Sequence, residues 1–404
     1  MKPAAPLDDV SVLEIGTAIA GPLCGAILAE MGAKVIKVEH PTRGDDARHF
    51  GKIVKGESLY FFNYNRNKLS LAVDIKKKEG LAIVKKLIRE VDVLIENYRP
   101  GTLSKLGLSY EQVKHLNKRI IYCSISGFGS RGFYRDYKGY DVVVQAMSGL
   151  MWMNREPGAE PMRLPAPLTD ILAAYSAAAA VCAALHLRER LKKAVKIDAS
   201  LLQMGLAAVS QWLVDTWVTK EEVKPFGNKY PALAPYEPFR TKDGWIVVAV
   251  GNDEQWLSLC RATGRSDLME DMRFRTNQDR IKPHNRSYLA AELQKTLGER
   301  TSKEWVTLFQ EEGIPAGPVY SLTDVLNDEN LSSLGLFSPT RHPTIGEVLA
   351  VRLTAFFQGF TTHQRPAPRL GEHTENILKE LGYSRRKIQE LADRGVVKTF
   401  SETT

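Results

Sequence analysis

Residues 11–39, SVLEIGTAIAGPLCGAILAEMGAKVIKVE, decide the fold. Ser11 to Ile15 is a short apolar run suited to a strand, and Gly16 to Gly21 is a turn. Pro22 to Met31 has helical character, with Pro22 in the first turn, where a missing N–H costs nothing. Gly32 stops that helix, because glycine enters the left-handed conformation without a Cβ clash. Lys34 to Glu39 is then a second strand, and the whole stretch is a βαβ unit. Outward from it, Leu69–Val73, Val91–Glu96 and Ile120–Ser126 are further strand-like runs, separated by helical stretches such as Glu79–Glu90. Strands alternating with helices predict an α/β fold: a doubly wound, Rossmann-like, mostly parallel sheet with helices on both faces.

Beyond that unit, the alanine-rich run Ile171–Leu187 is broken by Tyr175, Ser176 and His186. It is short and weakly apolar for a bilayer span, so it predicts a buried helix and no membrane partner. Ser200 to Val218 predicts a second long buried helix. The polar, proline-bearing stretch Lys220–Pro238 is a linker. A smaller α+β module follows, with a strand over Trp245–Val250 and helices over Glu254–Ala262 and Ser302–Glu312. Turn-rich Gly313–Pro318 leads to a C-terminal part that carries Leu370-Gly371-Glu372-His373-Thr374 and two closing helices. A chain of 404 residues exceeds what one core serves, and the boundaries fall at 1–219, 220–238, 239–325 and 326–404.

Composition is that of a soluble globular protein, 44% hydrophobic and 25% charged. The amino terminus lacks the layout of a signal peptide, so the expected location is cytoplasmic. The four cysteines, Cys24, Cys123, Cys182 and Cys260, form no CxxC pair, and no HExxH or histidine cluster occurs. Neither a disulfide framework nor a metal site is expected. A net charge of +8 favours an anionic ligand. Basic runs such as Lys76-Lys77-Lys78 and Arg385-Arg386-Lys387 have acidic neighbours and suit solvated faces, and no nucleic-acid motif is present.

The first βαβ unit raises the question of a dinucleotide. Its glycines, Gly16, Gly21 and Gly25, do not form G-x-G-x-x-G, and Ala18 stands where the second glycine belongs. The close approach of a pyrophosphate that this glycine permits is therefore not encoded.

Asp170 opens the alanine-rich helix in Leu168-Thr169-Asp170-Ile171. It suits the N-cap position. A carboxylate there is held ionised by the dipole and by amide donors, the state a nucleophile needs. Anion contacts are offered by Asn65-Arg66-Asn67-Lys68, Lys76, Asn97-Tyr98-Arg99, Lys105 and Lys138, several of them in loops after strands, where such sheets bind ligands.

Taken in order, several segments resemble the class III CoA-transferases, the formyl-CoA transferase type. They are Ile19-Ala20-Gly21-Pro22, Val35 to Glu39, Asn65 to Lys68, Glu96 to Gly101, Ser124 to Gly129, Gly313 to Val319 and Leu370 to Thr374. The likeness runs from about residue 7 to the final helix. It implies that Asp170 forms a covalent aspartyl intermediate, first a mixed anhydride and then an aspartyl-CoA thioester. It implies CoA contacts at Ile19, Ala20, His40, Val73, Asp74, Ile75, Lys76, Asn97, Tyr98, Arg99, Lys105, Lys138, Gly139, Tyr140 and Asp141. Coenzyme A is then a substrate, with acyl-CoA and a carboxylic acid as partners and no tightly bound cofactor. The resemblance also implies a large domain built from both chain ends, a small inserted domain, and an interlocked homodimer.

Two departures stand out. His40 and Lys105 occupy places where the formyl-CoA enzyme has arginine, and neither offers a bidentate fork. The glycine-repeat loop of the oxalate-using branch is missing at Tyr230–Pro238, which argues against oxalate. A racemase of the same superfamily needs a base in the Gly-x-Asp triplet, and Gly139-Tyr140-Asp141 offers a tyrosine instead. A non-catalytic CoA-binding protein would not need Asp170. Tyr64-Asn65-Arg66-Asn67-Lys68 and Tyr122 to Gly127 look most like the succinyl-CoA–dicarboxylate branch, with Arg163 or His186 as candidates for pairing with a distal carboxylate.

Overall fold

A computed structural model of the chain describes residues 5–360 and 364–400. The chain divides into two compact units: Met1–Met151, Arg163–Val218 and Leu334–Thr404 make the larger, and Trp152–Met162 with Thr219–Ser333 the smaller.

The larger unit is organised by six strands: β1 (Ser11–Ile15), β2 (Lys34–Glu39), β3 (Leu69–Val73), β4 (Val93–Glu96), β5 (Ile121–Ser126) and β6 (Val195–Ser200). Their spatial order is β3-β2-β1-β4-β5-β6, all parallel. The C-terminal strand Val397–Lys398 returns to pair antiparallel with β3 at the edge. Helices cover both faces. On one side α1 (Ala20–Glu30) packs on α5 (Leu168–Leu191), whose buried face is mostly alanine, at Ala173, Ala174, Ala177 and Ala178. Small side chains let those two helices approach closely. On the other side α3 (Lys78–Glu90) and the closing helices Thr374–Glu380 and Arg385–Asp393 bury Ile83, Leu87, Ile377 and Ile388. Three further helices matter below: α2 (Leu59–Asn65), α4 (Asp141–Met147) and α6 (Leu201–Ala208).

Several expectations need correction. The first helix starts at Ala20, two residues before Pro22. The single helix expected over Ser200–Val218 is two, because Val209 leaves helical geometry (φ −109°, ψ 13°) between α6 and α7 (Ser210–Thr219). No residue of α7 is buried. A strand, β6, precedes them, and its alternating burial with Lys196 and Asp198 outward marks it as an edge strand. α5 is long and apolar enough by composition to cross a membrane, yet its buried residues line one stripe against α1 and the sheet, as in a core helix.

The smaller unit holds a three-stranded antiparallel sheet of Tyr236–Arg240, Trp245–Ala249 and Ala316–Pro318, the middle one central. Thus Tyr236 already belongs to a strand within the stretch read as linker, and Ala316–Pro318 is a strand within the stretch read as turn. Its core centres on Trp256, Phe274, Trp305 and Phe309.

Candidate active site

In an open parallel sheet, ligands bind beyond the carboxyl ends of the strands, where the connections diverge. Here that point lies between β1 and β4, adjacent strands whose chains depart to opposite sides. The loops after them are stapled together. Asn97, just past β4, accepts from the Thr17 amide at 2.9 Å and donates to the Thr17 carbonyl at 2.8 Å. The glycines that fail the dinucleotide pattern serve this packing. A Cβ on Gly21 would stand 2.9 Å from Cγ of Asn97, and one on Gly25 would stand 2.1 Å from Oε2 of buried Glu14.

Asp170 is not the N-cap of α5. Pro167 holds that position without a side-chain bond, and Asp170 lies in the first turn. The capping is done from a distance by Asp141 at the start of α4. Its Oδ1 accepts from the Thr169 amide at 2.9 Å and from the Thr169 hydroxyl at 2.7 Å, while Oδ2 accepts from Gln145 at 2.7 Å. Asp170 is thereby released from capping, and the Ala20 amide at the start of α1 faces it and favours its ionised form.

The expected ionised state also needs correction. Burial, reinforced by the negative charge of Asp141, pushes the Asp170 carboxyl up to about 7, and the Ala20 amide only partly offsets this. Desolvation outweighs the helix terminus. Two phenols on α2 share this environment, Tyr60, which the sequence reading passed over, and Tyr64, which it took only as part of a family-like segment: burial keeps both protonated, and the Asp170 charge adds to the effect. They stack edge to face with ring centres 5.2 Å apart.

Much of the predicted CoA set gathers at one cavity of about 250 Å³, bounded by His40, Val73, Asp74, Ile75, Lys76 and Tyr98, with Arg43, Thr102 and Leu103 added by the fold. Its apolar walls, Ile15, Val38 and Leu106, suit a planar base, and its rim carries basic side chains. Ile19 and Ala20 are buried where the loop after β1 enters α1. Lys105, Lys138 and Tyr140 are exposed and do not line this cavity. Gly139 lies against Gly127 so closely that a Cβ on either would fall within 2.8 Å of the other's Cα. A larger cavity of about 340 Å³ takes in Arg99, Glu96, Ser124 and Lys196. Only Arg99 of the predicted set reaches it. His186 is sixteen positions further along α5, roughly 24 Å from Asp170 at about 1.5 Å per residue, too far to pair with an acid bound there.

Among the described residues no group of three or more His, Cys, Asp or Glu side chains is placed to hold a metal. Cys24 and Cys123, distant in sequence, meet in the core, and their mutual hydrogen bond and burial raise Cys24 well above the ordinary thiol range.

A doubly wound sheet with a cavity beyond its strand ends and a buried carboxyl in the first turn of a helix has the layout of an α/β enzyme. The chain belongs to CoA-transferase family III, whose model matches residues 7–374. It is 38% identical to succinyl-CoA:glutarate CoA-transferase of Mus musculus, over 97% of this chain and 90% of that protein. It is 36% identical to succinate–glutarate CoA-transferase of Agrobacterium fabrum, over 93% of this chain and 96% of that protein. Among solved structures, a CAIB/BAIF family protein from Brucella suis superposes with a TM-score of 0.84 at 33% identity, covering 94% of this chain and all of that one. The chain is a CoA-transferase that moves CoA between acyl-CoA and a carboxylic acid.

Proposed function

We propose that the chain transfers CoA from succinyl-CoA to a dicarboxylic acid of the glutarate class, with Asp170 as covalent relay. The observation that carries this reading is the release of the Asp170 carboxyl by the Asp141 cap, which leaves it facing the Ala20 amide. The succinyl-CoA:glutarate relatives support the choice of acids.

An oxygen of ionised Asp170 attacks the thioester carbonyl, the C–S bond breaks, and CoA thiolate leaves an aspartyl–succinyl anhydride. The thiolate attacks the aspartyl carbonyl, expelling succinate and leaving an aspartyl-CoA thioester. A carboxylate of the acceptor displaces the thiolate to form a second anhydride. The thiolate then attacks the acceptor's carbonyl, releasing the new acyl-CoA and restoring Asp170. Protons and electrons balance without a redox or metal cofactor, and one difficult exchange becomes several acyl transfers. The adenosine end of CoA lies in the 250 Å³ cavity, with His40, Arg43 and Lys76 toward its phosphates. Lys105 and Lys138 reach the carrier from the exposed rim. The working unit is a homodimer, interlocked as the family resemblance implies. Exposed apolar side chains at Val142, Val143, Leu213, Val214 and Val218 support this, since a second copy would cover them.

Incubation with succinyl-CoA and glutarate is expected to yield glutaryl-CoA and succinate in equal amounts. Turnover with another donor and none with succinyl-CoA would remove the choice of acids and leave CoA transfer intact.

A further inference from the structure

The loop that carries the Ala20 amide to Asp170 has a bent path, with Ala18 in the left-handed region at φ 63°. A non-glycine residue holds such a conformation only when its surroundings impose it. What imposes it here is a buried group of four charges. Lys37 pairs with Glu14 and with Asp45, each at 2.8 Å, and Lys68 pairs with Glu14 at 2.7 Å. Two acids and two lysines cancel, and none of the four is more than 3% exposed. Glu14 and Lys37 are register partners on β1 and β2, so the sheet itself brings them together. Burial opposes the charge on Lys37, but Asp45 and Glu14 hold its ammonium above the ordinary lysine range.

This group grips the loop by its backbone. Lys37 donates to the Gly16 carbonyl at 2.9 Å, Oδ1 of Asp45 accepts from the Ala18 amide at 3.0 Å, and Lys68 donates to the Pro22 carbonyl at 2.6 Å. Asp45 is the hinge of the arrangement. One of its oxygens faces Lys37, while the other also takes the Ala47 amide at 2.9 Å.

We infer that Asp45, fixed by Lys37, is a positioning residue that locks the kink at Ala18 and so aims the Ala20 amide at the Asp170 carboxyl. The inference rests on the role given to Asp170 above. Asp45 does not touch the reacting atoms. It acts by keeping the carboxylate ionised and aimed, and a misplacement of a reacting group by about 1 Å can cost about 10²-fold in rate.

The test compares Asp45→Asn and Asp45→Ala with the unaltered protein, following succinyl-CoA/glutarate exchange from pH 5.5 to 9.5. The groups that face Asp170 are Asp141, Tyr60, Tyr64 and the Ala20 amide. Asp45 also bears on Tyr60, but burial keeps that phenol protonated with or without it, so the Ala20 amide is the group whose displacement the profile reads. Asp45→Ala is expected to lower kcat at pH 7 by about 100-fold, with a smaller change in KM for acyl-CoA. The acid limb of its rate profile should move upward, so that part of the loss recovers at pH 9. Asp45→Asn, which keeps an acceptor for Ala18, should fall between the two, and if Asp45→Ala does not fold, Asp45→Asn decides alone. A loss equal at every pH, or no loss in either variant, overturns the inference. Asp170→Ala measured alongside separates the cases: if it is inactive while the Asp45 variants behave normally, only the positioning role fails, and if it is fully active, the nucleophile itself is wrong.

Discussion

Two helices of this chain, both carrying apolar side chains, meet opposite fates. Every residue of α1 is buried, whereas α7 buries none and exposes Val214 by 60% and Val218 by 70%. α1 lies between the sheet and α5 and is satisfied within the chain. Among the described residues nothing buries the apolar side chains Leu213, Val214 and Val218 of α7. Apolarity in a sequence announces that a surface needs cover without saying which molecule supplies it. In the proposed dimer the second copy covers α7.

The comparison can be broken most forcefully at Asp170. Asp170→Ala is expected to lower exchange by at least ~10³-fold while leaving assembly unchanged, measured by turnover and light scattering. Next, Leu28→Ala in α1 should cost about 2–5 kcal/mol in denaturant unfolding at any protein concentration, because the cavity lies within one chain. The paired change Val214→Asp and Val218→Asp should instead lower the unfolding midpoint in a way that deepens on dilution, since interlocked chains separate only as they unfold. A fall in stability independent of concentration would show that α7 is covered by its own chain.

A smaller effect concerns pH. The folded Asp170 carboxyl titrates near 7, above its ordinary value of 3.8, so the native state holds the proton more tightly than the unfolded chain. Stability from this group is present at low pH and is lost as pH rises through about 7. Asp170→Asn should therefore melt a few degrees higher than the unaltered protein at pH 8 and equally at pH 3, by calorimetry. Activity runs the other way, falling as pH drops below 7 and the nucleophile protonates.

Much of this molecule was legible in its sequence. The apolar, β-branched runs at Lys34–Glu39 and Leu69–Val73 have the bounds of the strands themselves, since strands buried on both faces leave little room for ambiguity. β6 was missed because VKIDAS alternates charged and apolar residues at a sheet edge. The local setting of Asp170 was misread, because its helix is capped by a residue 28 positions before Thr169. No local pattern carries that contact. Glu14 and Lys37 were visible as charges within apolar strands, but their partnership depends on register, which only the assembled sheet supplies.

The central claim is that the acyl group and then CoA are carried on Asp170. Mixing the protein with succinyl-CoA alone, quenching in acid and mapping peptides by mass spectrometry tests it directly. The account predicts CoA attached through a thioester to the peptide containing Asp170, removable by glutarate before the quench. An active protein carrying no adduct at that residue, or carrying it on another side chain, would contradict the account.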